Sequence, residues 1–113
     1  MTRATVRDVI PQGTLEVLIL TTLSRADELH GFEIAESIRT LSDDVLTVEE
    51  GSLYPALQRL LVKGWIADVW GRTSQNRRAR YYRVTAAGRR QVTQEVDRYQ
   101  RVARAIQRVL QPA

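Results

Sequence analysis

The sequence predicts a mainly α-helical fold with one small β-hairpin. The first 63 residues contain three segments with apolar residues at helical spacing. Two short segments rich in aromatic and β-branched residues follow, separated by a polar turn, and a segment with heptad-like apolar spacing ends the chain. The length of 113 residues favours a single domain.

The first helix is predicted from Pro11 to about Arg25. Pro11 suits a helix start, and Gln12 or Thr14 would help to cap it. Apolar residues surround most of the helix, so it must be covered on more than one side, and in so small a protein we expect a second subunit to contribute. The β-branched content of Val17–Thr22 leaves a strand as the alternative.

Two further helices and a hairpin are expected next. The helices run from Gly31 to about Leu41 and from Gly51 to Lys63, and Gly64 suits a left-handed residue after the latter. Residues 65–70 and 81–84 read as the paired strands. We interpret the two tryptophans of the first strand, Trp65 and Trp70, as hairpin core.

Thr85 is expected to cap a last helix that runs to about Gln111. Its apolar residues recur at alternating spacings of 4 and 3, which defines a heptad seam. The outer half of this seam extends beyond what a small body can cover, so we interpret it as a subunit interface; the alternative is a helix folded back on its own domain. The predicted dimer interface comprises Leu15, Leu18, Ile19, Val92, Val96, Tyr99, Ala103, Ile106 and Leu110.

Three helices followed by a β-hairpin is the element order of a winged helix-turn-helix, in which the third helix enters the major groove of DNA. The outward face of the third helix carries Ser52, Tyr54, Pro55, Gln58 and Arg59. Hydroxyl, amide and guanidinium groups are suitable for phosphates and base edges, and Pro55 for a thymine methyl. The alternative is that these positions are merely solvated.

The hairpin turn is strongly basic. It carries Arg72, Arg77, Arg78 and Arg80, with no acidic residue between Gly71 and Val84. Clustered guanidiniums repel one another but suit phosphate contacts or insertion into a narrow groove, so we predict DNA binding here rather than an ordinary soluble loop.

Charge is divided between the two halves of the chain. The net charge is +4, but residues 1–56 carry 4 basic and 10 acidic residues, and residues 57–113 carry 13 basic and 3 acidic residues. A basic half indicates an anionic partner, with nucleic acid the first candidate. A solvated arginine-rich surface is the alternative.

Composition argues against several functions. The chain has no cysteine and one histidine, His30, which excludes disulfides, thiolate zinc sites and multi-histidine metal sites. No paired-carboxylate constellation is evident, so we predict no catalytic residues, no metal and no cofactor. No membrane span or signal peptide is apparent, and a cytoplasmic location is expected.

Four segments resemble motifs of the PadR family of transcriptional regulators, in family order over roughly residues 12–110. Residues 29–35 (LHGFEIA) are similar to the LHGYEI signature, with Phe32 in place of its tyrosine. Residues 50–60 (EGSLYPALQRL) resemble the recognition-helix motif GTLYPALxRL. Residues 64–66 (GWI) resemble GLI, and residues 80–88 (RYYRVTAAG) resemble RYYRLTxxG at the end of the wing.

The resemblance implies a homodimeric repressor of the compact subgroup with a single C-terminal helix. Residues 1–84 would form the winged helix-turn-helix domain and residues 85–113 the dimerisation helix, in one compact unit with the first helix. Double-stranded DNA, a second copy and a small aromatic effector are the implied partners. A winged-helix module that binds protein instead of specific DNA is the alternative.

Overall fold

The computed structural model describes residues 8–11 and 13–112 of the chain. The described residues form four α-helices and two small sheets, as the sequence predicts for a winged helix-turn-helix. The elements are β1 (Asp8–Val9), α1 (Thr14–Ser24), β2 (Leu29–His30), α2 (Gly31–Leu41), β3 (Leu46–Thr47), α3 (Glu50–Lys63), β4 (Ile66–Arg72), β5 (Arg78–Val84) and α4 (Ala86–Leu110).

The larger sheet has three antiparallel strands in the order β2-β5-β4. The hairpin of β4 and β5, predicted from the sequence, forms most of it. The two-residue strand β2 pairs with the base of β5 and joins the hairpin to the start of α2. A separate parallel pair of two-residue strands, β1 and β3, was not apparent in the sequence.

The segment for which a strand was the alternative forms a helix, α1, but this helix begins later than predicted. Its N-cap is Gly13, at a φ of 90°, and no side chain caps it. Pro11 lies before the helix, where its carbonyl accepts hydrogen bonds from the backbone N–H groups of Thr14 and Leu15. The predicted start at Pro11 and the cap by Thr14 are therefore wrong, and Gln12 lies outside the described residues.

Helix α1 forms the centre of the hydrophobic core. Its residues Ile19, Leu20 and Leu23 are almost completely buried, together with residues of α2 and α3. Leu15 and Ile19, which the sequence analysis assigned to the dimer interface, are 3% and 0% exposed within the single chain. Elements of the chain itself cover these two residues, which leaves them no surface for a second subunit, whereas Val17 and Leu18 are only half-buried.

Helix α4 has 25 residues, which corresponds to about 37 Å at 1.5 Å per residue. Thr85 caps it, as predicted, by accepting a hydrogen bond from the backbone N–H of Gly88. The first half packs against the body, where Val92 is half-buried against the core. The radius of gyration is 15.6 Å, above the roughly 13 Å of a compact 100-residue domain. This value is consistent with an outer half that projects.

Candidate nucleic-acid interface

Helix α3 has one buried face and one exposed polar face, as predicted. Leu53, Ala56, Leu57 and Leu60 are buried, and Gly64 ends the helix in the left-handed conformation at a φ of 76°. Of the five predicted DNA contacts, Tyr54, Pro55 and Gln58 are exposed, whereas Ser52 and Arg59 are half-buried.

Pro55 lies further into α3 than the sequence suggested, because the helix begins at Glu50. As the sixth helical residue, Pro55 cannot donate the hydrogen bond that would normally run to the Gly51 carbonyl. Its exposed ring remains on the polar face of the helix.

Tyr54 lies where α3 meets α2 and the hairpin. Its hydroxyl lies so close to Gly31, the first residue of α2, that a Cβ there would be 2.8 Å from the oxygen. The pKa of Tyr82 in β5 is raised by burial, and Arg80 offsets part of this increase. Tyr54 is near enough to raise the pKa of Tyr82 further. Tyr54 is still 48% exposed, so its ring can reach a partner outside the protein.

Arg59 already has a carboxylate partner within the chain. Its Nε lies 2.7 Å from Oε2 of Glu16 in α1, and Nζ of Lys63 lies 3.3 Å from Oε1 of the same carboxylate. Glu16 is only 14% exposed and is a functional candidate that sequence reasoning missed. It is 43 residues from Arg59, and no periodic signal connects the two positions.

We call β4, β5 and their connecting loop, residues 66–84, the wing. The strands pair in register from Ile66 opposite Val84 to Arg72 opposite Arg78. Thr73 and Arg77 flank a three-residue loop, in which Asn76 adopts a left-handed conformation at a φ of 61°. Arg77 is exposed beside this loop.

One face of the wing continues the core face outward. Side chains alternate along a strand, so Trp70 lies on the same face of the wing as the buried Ile66. Arg80, which lies opposite Trp70 on β5, shares this face with the buried Tyr82. Trp65 is half-buried against the core, but Trp70 is 53% exposed. The interpretation of Trp70 as hairpin core is therefore wrong, because the body does not reach that far along the strand.

The predicted wing arginines are all exposed, but their environments differ. The guanidiniums of Arg78 and Arg80 lie 4.3 and 5.5 Å from the centre of the Trp70 ring. Nε of Arg80 also lies 3.0 Å from Oδ2 of Asp68, an acid just before the basic segment. Arg72 donates a hydrogen bond to the Asn76 carbonyl at 3.3 Å. An aromatic ring and one carboxylate thus offset part of the repulsion expected among these residues.

The acidic residues of the first half are partly neutralised within the chain. Arg39 of α2 pairs with Glu36 and Asp44, each at 2.8 Å, and its hydrogen bond to Glu36 holds the pKa of that carboxyl below its usual range.

His30 caps α2, where its Nδ1 accepts a hydrogen bond from the backbone N–H of Glu33 at 3.4 Å. Among residues 8–11 and 13–112, no group of three potential metal ligands occurs.

The predicted interface residues of α4 divide into two groups. Val92, Val96 and Ala103 are half-buried, as is Leu18 of α1. Tyr99, Ile106 and Leu110 are 44%, 52% and 75% exposed. The outer half of the helix also carries a wholly apolar depression, which we call the apolar stripe. The stripe consists of Val102, Ala105, Ile106, Val109 and Leu110.

The sequence matches the model of the transcriptional regulator PadR-like family over residues 19–94, two thirds of the chain. The chain belongs to the PadR-like family. Its family resemblance is therefore confirmed, and the function of that family is DNA-binding transcriptional regulation rather than catalysis. Within the part of this PadR-like chain that the structure describes, no helix has the length and apolarity to cross a membrane.

Similar proteins cover nearly the whole chain. An uncharacterized protein of Lysinibacillus sphaericus is 30% identical over 101 residues, which are 89% of this chain and 92% of that protein. A transcriptional regulator from Clostridium thermocellum superposes with a TM-score of 0.77 at 27% identity, over 88% of this chain and 96% of its own. A PadR-like transcriptional regulator from Bacillus cereus superposes with a TM-score of 0.70 at 26% identity, over 90% of this chain and 96% of its own.

Proposed function

We propose that this PadR-like protein is a homodimeric, sequence-specific transcriptional repressor that binds an inverted-repeat operator. The observation that carries the proposal is the position of Tyr54. This half-exposed ring lies on the outer face of α3, next to the first residue of α2 and to the base of the basic wing. A groove-reading helix, a supporting helix and a charged hairpin therefore meet at one surface.

The two parts of this surface have different tasks. On α3, Tyr54, Gln58 and Ser52 supply hydroxyl and amide groups for base edges and phosphates, and Pro55 supplies an apolar contact. The wing arginines Arg72, Arg77, Arg78 and Arg80 supply affinity that is mostly independent of sequence. Arg59 contributes through the guanidinium edge that its ion pair with Glu16 leaves open.

A second copy of the chain is the proposed cover of the apolar stripe. An isolated helix in water does not favour a run of exposed valine, isoleucine and leucine side chains, and a symmetric pair would bury them. Two α3 helices related by a two-fold axis would enter successive major grooves. The operator half-sites should then lie about 10 base pairs apart, centre to centre, or a multiple of that distance.

Repression and its relief by a small aromatic effector are proposed from the PadR resemblance. A groove between α1, α3 and α4 has a volume of about 100 Å³ and includes Val17, Lys63, Trp65 and Arg98 in its lining. Ligand pockets usually measure about 300–1,000 Å³. An effector site of that size would therefore need residues from a second copy.

The decisive experiment is the selection of bound DNA from a random pool with the purified protein. We expect a palindromic consensus, because a two-fold dimer reads the same half-site twice. Binding that stays weak and indifferent to sequence would contradict the proposal and favour a protein-binding winged-helix module.

Tyr54→Ala provides the matched variant for this selection. If Tyr54 contributes to reading the sequence, its loss should weaken operator binding about tenfold, as expected for the loss of a specific contact, and random-DNA binding much less. Equal losses on both DNAs, measured by titration at one salt concentration, would show that Tyr54 only positions the protein.

A further inference from the structure

We propose that Trp70 is a positioning residue of the wing, which holds the guanidinium of Arg78 ready for a DNA phosphate. The proposal rests on the proposed DNA-binding function and adds a residue that the sequence analysis assigned to the core. The juxtaposition that carries it is an exposed indole with two guanidiniums over its ring.

Trp70 has no role in the core that would account for its presence. It is 53% exposed, whereas the core face of the wing ends at Ile66, Tyr82 and Val84, which are 2–7% exposed. An indole is the best aromatic partner for a cation. Its nearest described cations are arginines of the opposite strand, one directly across and one diagonal to it.

The two arginines differ in what their N–H donors contact. Arg80 uses Nε in an ion pair with Asp68 at 3.0 Å, which ties this guanidinium to the protein. Arg78 has no carboxylate partner within 4.0 Å among residues 8–11 and 13–112, although it lies closer to the ring, at 4.3 Å. A guanidinium over a ring uses its flat face, so the donors along its edge stay free for phosphate oxygens.

The location of this pair on the wing also favours DNA. The Trp70 face continues the one that carries Tyr82, which is buried in the same cluster as Leu57 of α3. The two arginines over the Trp70 ring therefore extend outward from the side of the wing that adjoins the recognition helix. Holding a long side chain in place before binding reduces the ordering cost that binding would otherwise incur.

Trp70→Ala tests the proposal without changing the charge of the protein. We expect affinity for operator and random DNA to fall about three- to fivefold, the size of an exposed cation–π interaction. Trp70→Phe keeps a ring and should bind within about twofold of the wild type. Val69→Ala is the matched control, because Val69 is 52% exposed on the opposite face of the same strand and should not affect binding.

A double-variant cycle with Arg78→Ala separates positioning from simple packing. Arg78→Ala should weaken binding and reduce the slope of log affinity against log salt by about 0.9, the loss of one phosphate contact. If Trp70 acts through Arg78, the double variant should bind like Arg78→Ala alone. Losses that multiply would overturn the proposal, as would a Trp70→Phe variant as weak as Trp70→Ala or an equal loss in Val69→Ala.

The same titrations distinguish this proposal from the proposed function. A wild-type protein that binds DNA, with a Trp70→Ala variant that binds equally well and melts at the same temperature, overturns only the role of Trp70. A wild-type protein that binds neither operator nor random DNA overturns both.

Discussion

The wing and the outer half of α4 are both exposed and both rich in arginine, but the side chains that lie between the arginines differ. On the wing, arginines lie over the ring of Trp70, and Asp68 pairs with one of them. On α4, arginines flank the apolar stripe, within which no side chain is polar. A cluster of exposed charges favours an anion as partner, whereas uncovered apolar area favours another apolar surface.

A high arginine content therefore does not identify a nucleic-acid surface by itself. Arg98 of α4 lies 3.5 Å from Glu95 and borders the groove between α1, α3 and α4. Among the described residues, neither Arg78 of the wing nor the arginines of the outer half of α4 have a carboxylate within 4.0 Å. The groups between the arginines, an indole on the wing and the apolar stripe on α4, therefore distinguish the two surfaces.

The largest effect is expected at the junction that joins the two regions. Gly88, in the first turn of α4, packs so closely on the Trp65 backbone that a Cβ would overlap its carbonyl. Gly88→Ala should lower the free energy of unfolding by about 3 kcal/mol, because the backbone contact cannot relax as a side chain would. A thermal melt should show a decrease of about 10–20 °C.

Gly51→Ala is the matched control for this junction. A Cβ at Gly51, in the first turn of α3, meets nothing within 4 Å, so the same substitution should be neutral or stabilise by up to about 1 kcal/mol. If Gly88→Ala melts within 2 °C of the wild type, roughly the error of such a comparison, α4 is not anchored through its contact with the Trp65 backbone, just before the wing.

The next effect concerns the apolar stripe. Ile106→Glu places a charge in its centre and should yield a monomer in sedimentation velocity at micromolar concentration. Operator affinity should then fall about a hundredfold, because two half-sites are no longer bound by one linked pair. Gln107→Glu introduces the same side chain at an exposed position outside the stripe and should remain dimeric. A dimeric Ile106→Glu variant would show that the stripe is not the interface.

The smallest effect is expected at Glu16, which restrains the basic residues of α3. Glu16→Gln removes the carboxylate shared by Arg59 and Lys63, and random-DNA affinity at low salt should rise about two- to threefold, with a steeper salt slope. Glu95→Gln makes the same charge change beside Arg98 of α4. Equal increases in both variants, in the same titration, would mean that only the net charge of the protein matters.

Much of the candidate site could be predicted from local sequence. Alternating and helical spacing located the hairpin and the polar face of α3, because these periods depend only on backbone geometry. Side-chain partners could not be predicted in this way. The contact of Arg59 with Glu16 joins two helices 43 residues apart, and that of Arg80 with Asp68 depends on the hairpin register.

The order of helices, hairpin and long last helix follows from the positions of the apolar, basic and turn-forming residues along the chain. Which of the apolar residues a single chain covers depends on its tertiary structure. The body encloses Leu15 and Ile19 but does not reach Trp70 or Ile106, although all four side chains are apolar. Burial depends on which elements meet in space, and neither composition nor period specifies how far those elements extend.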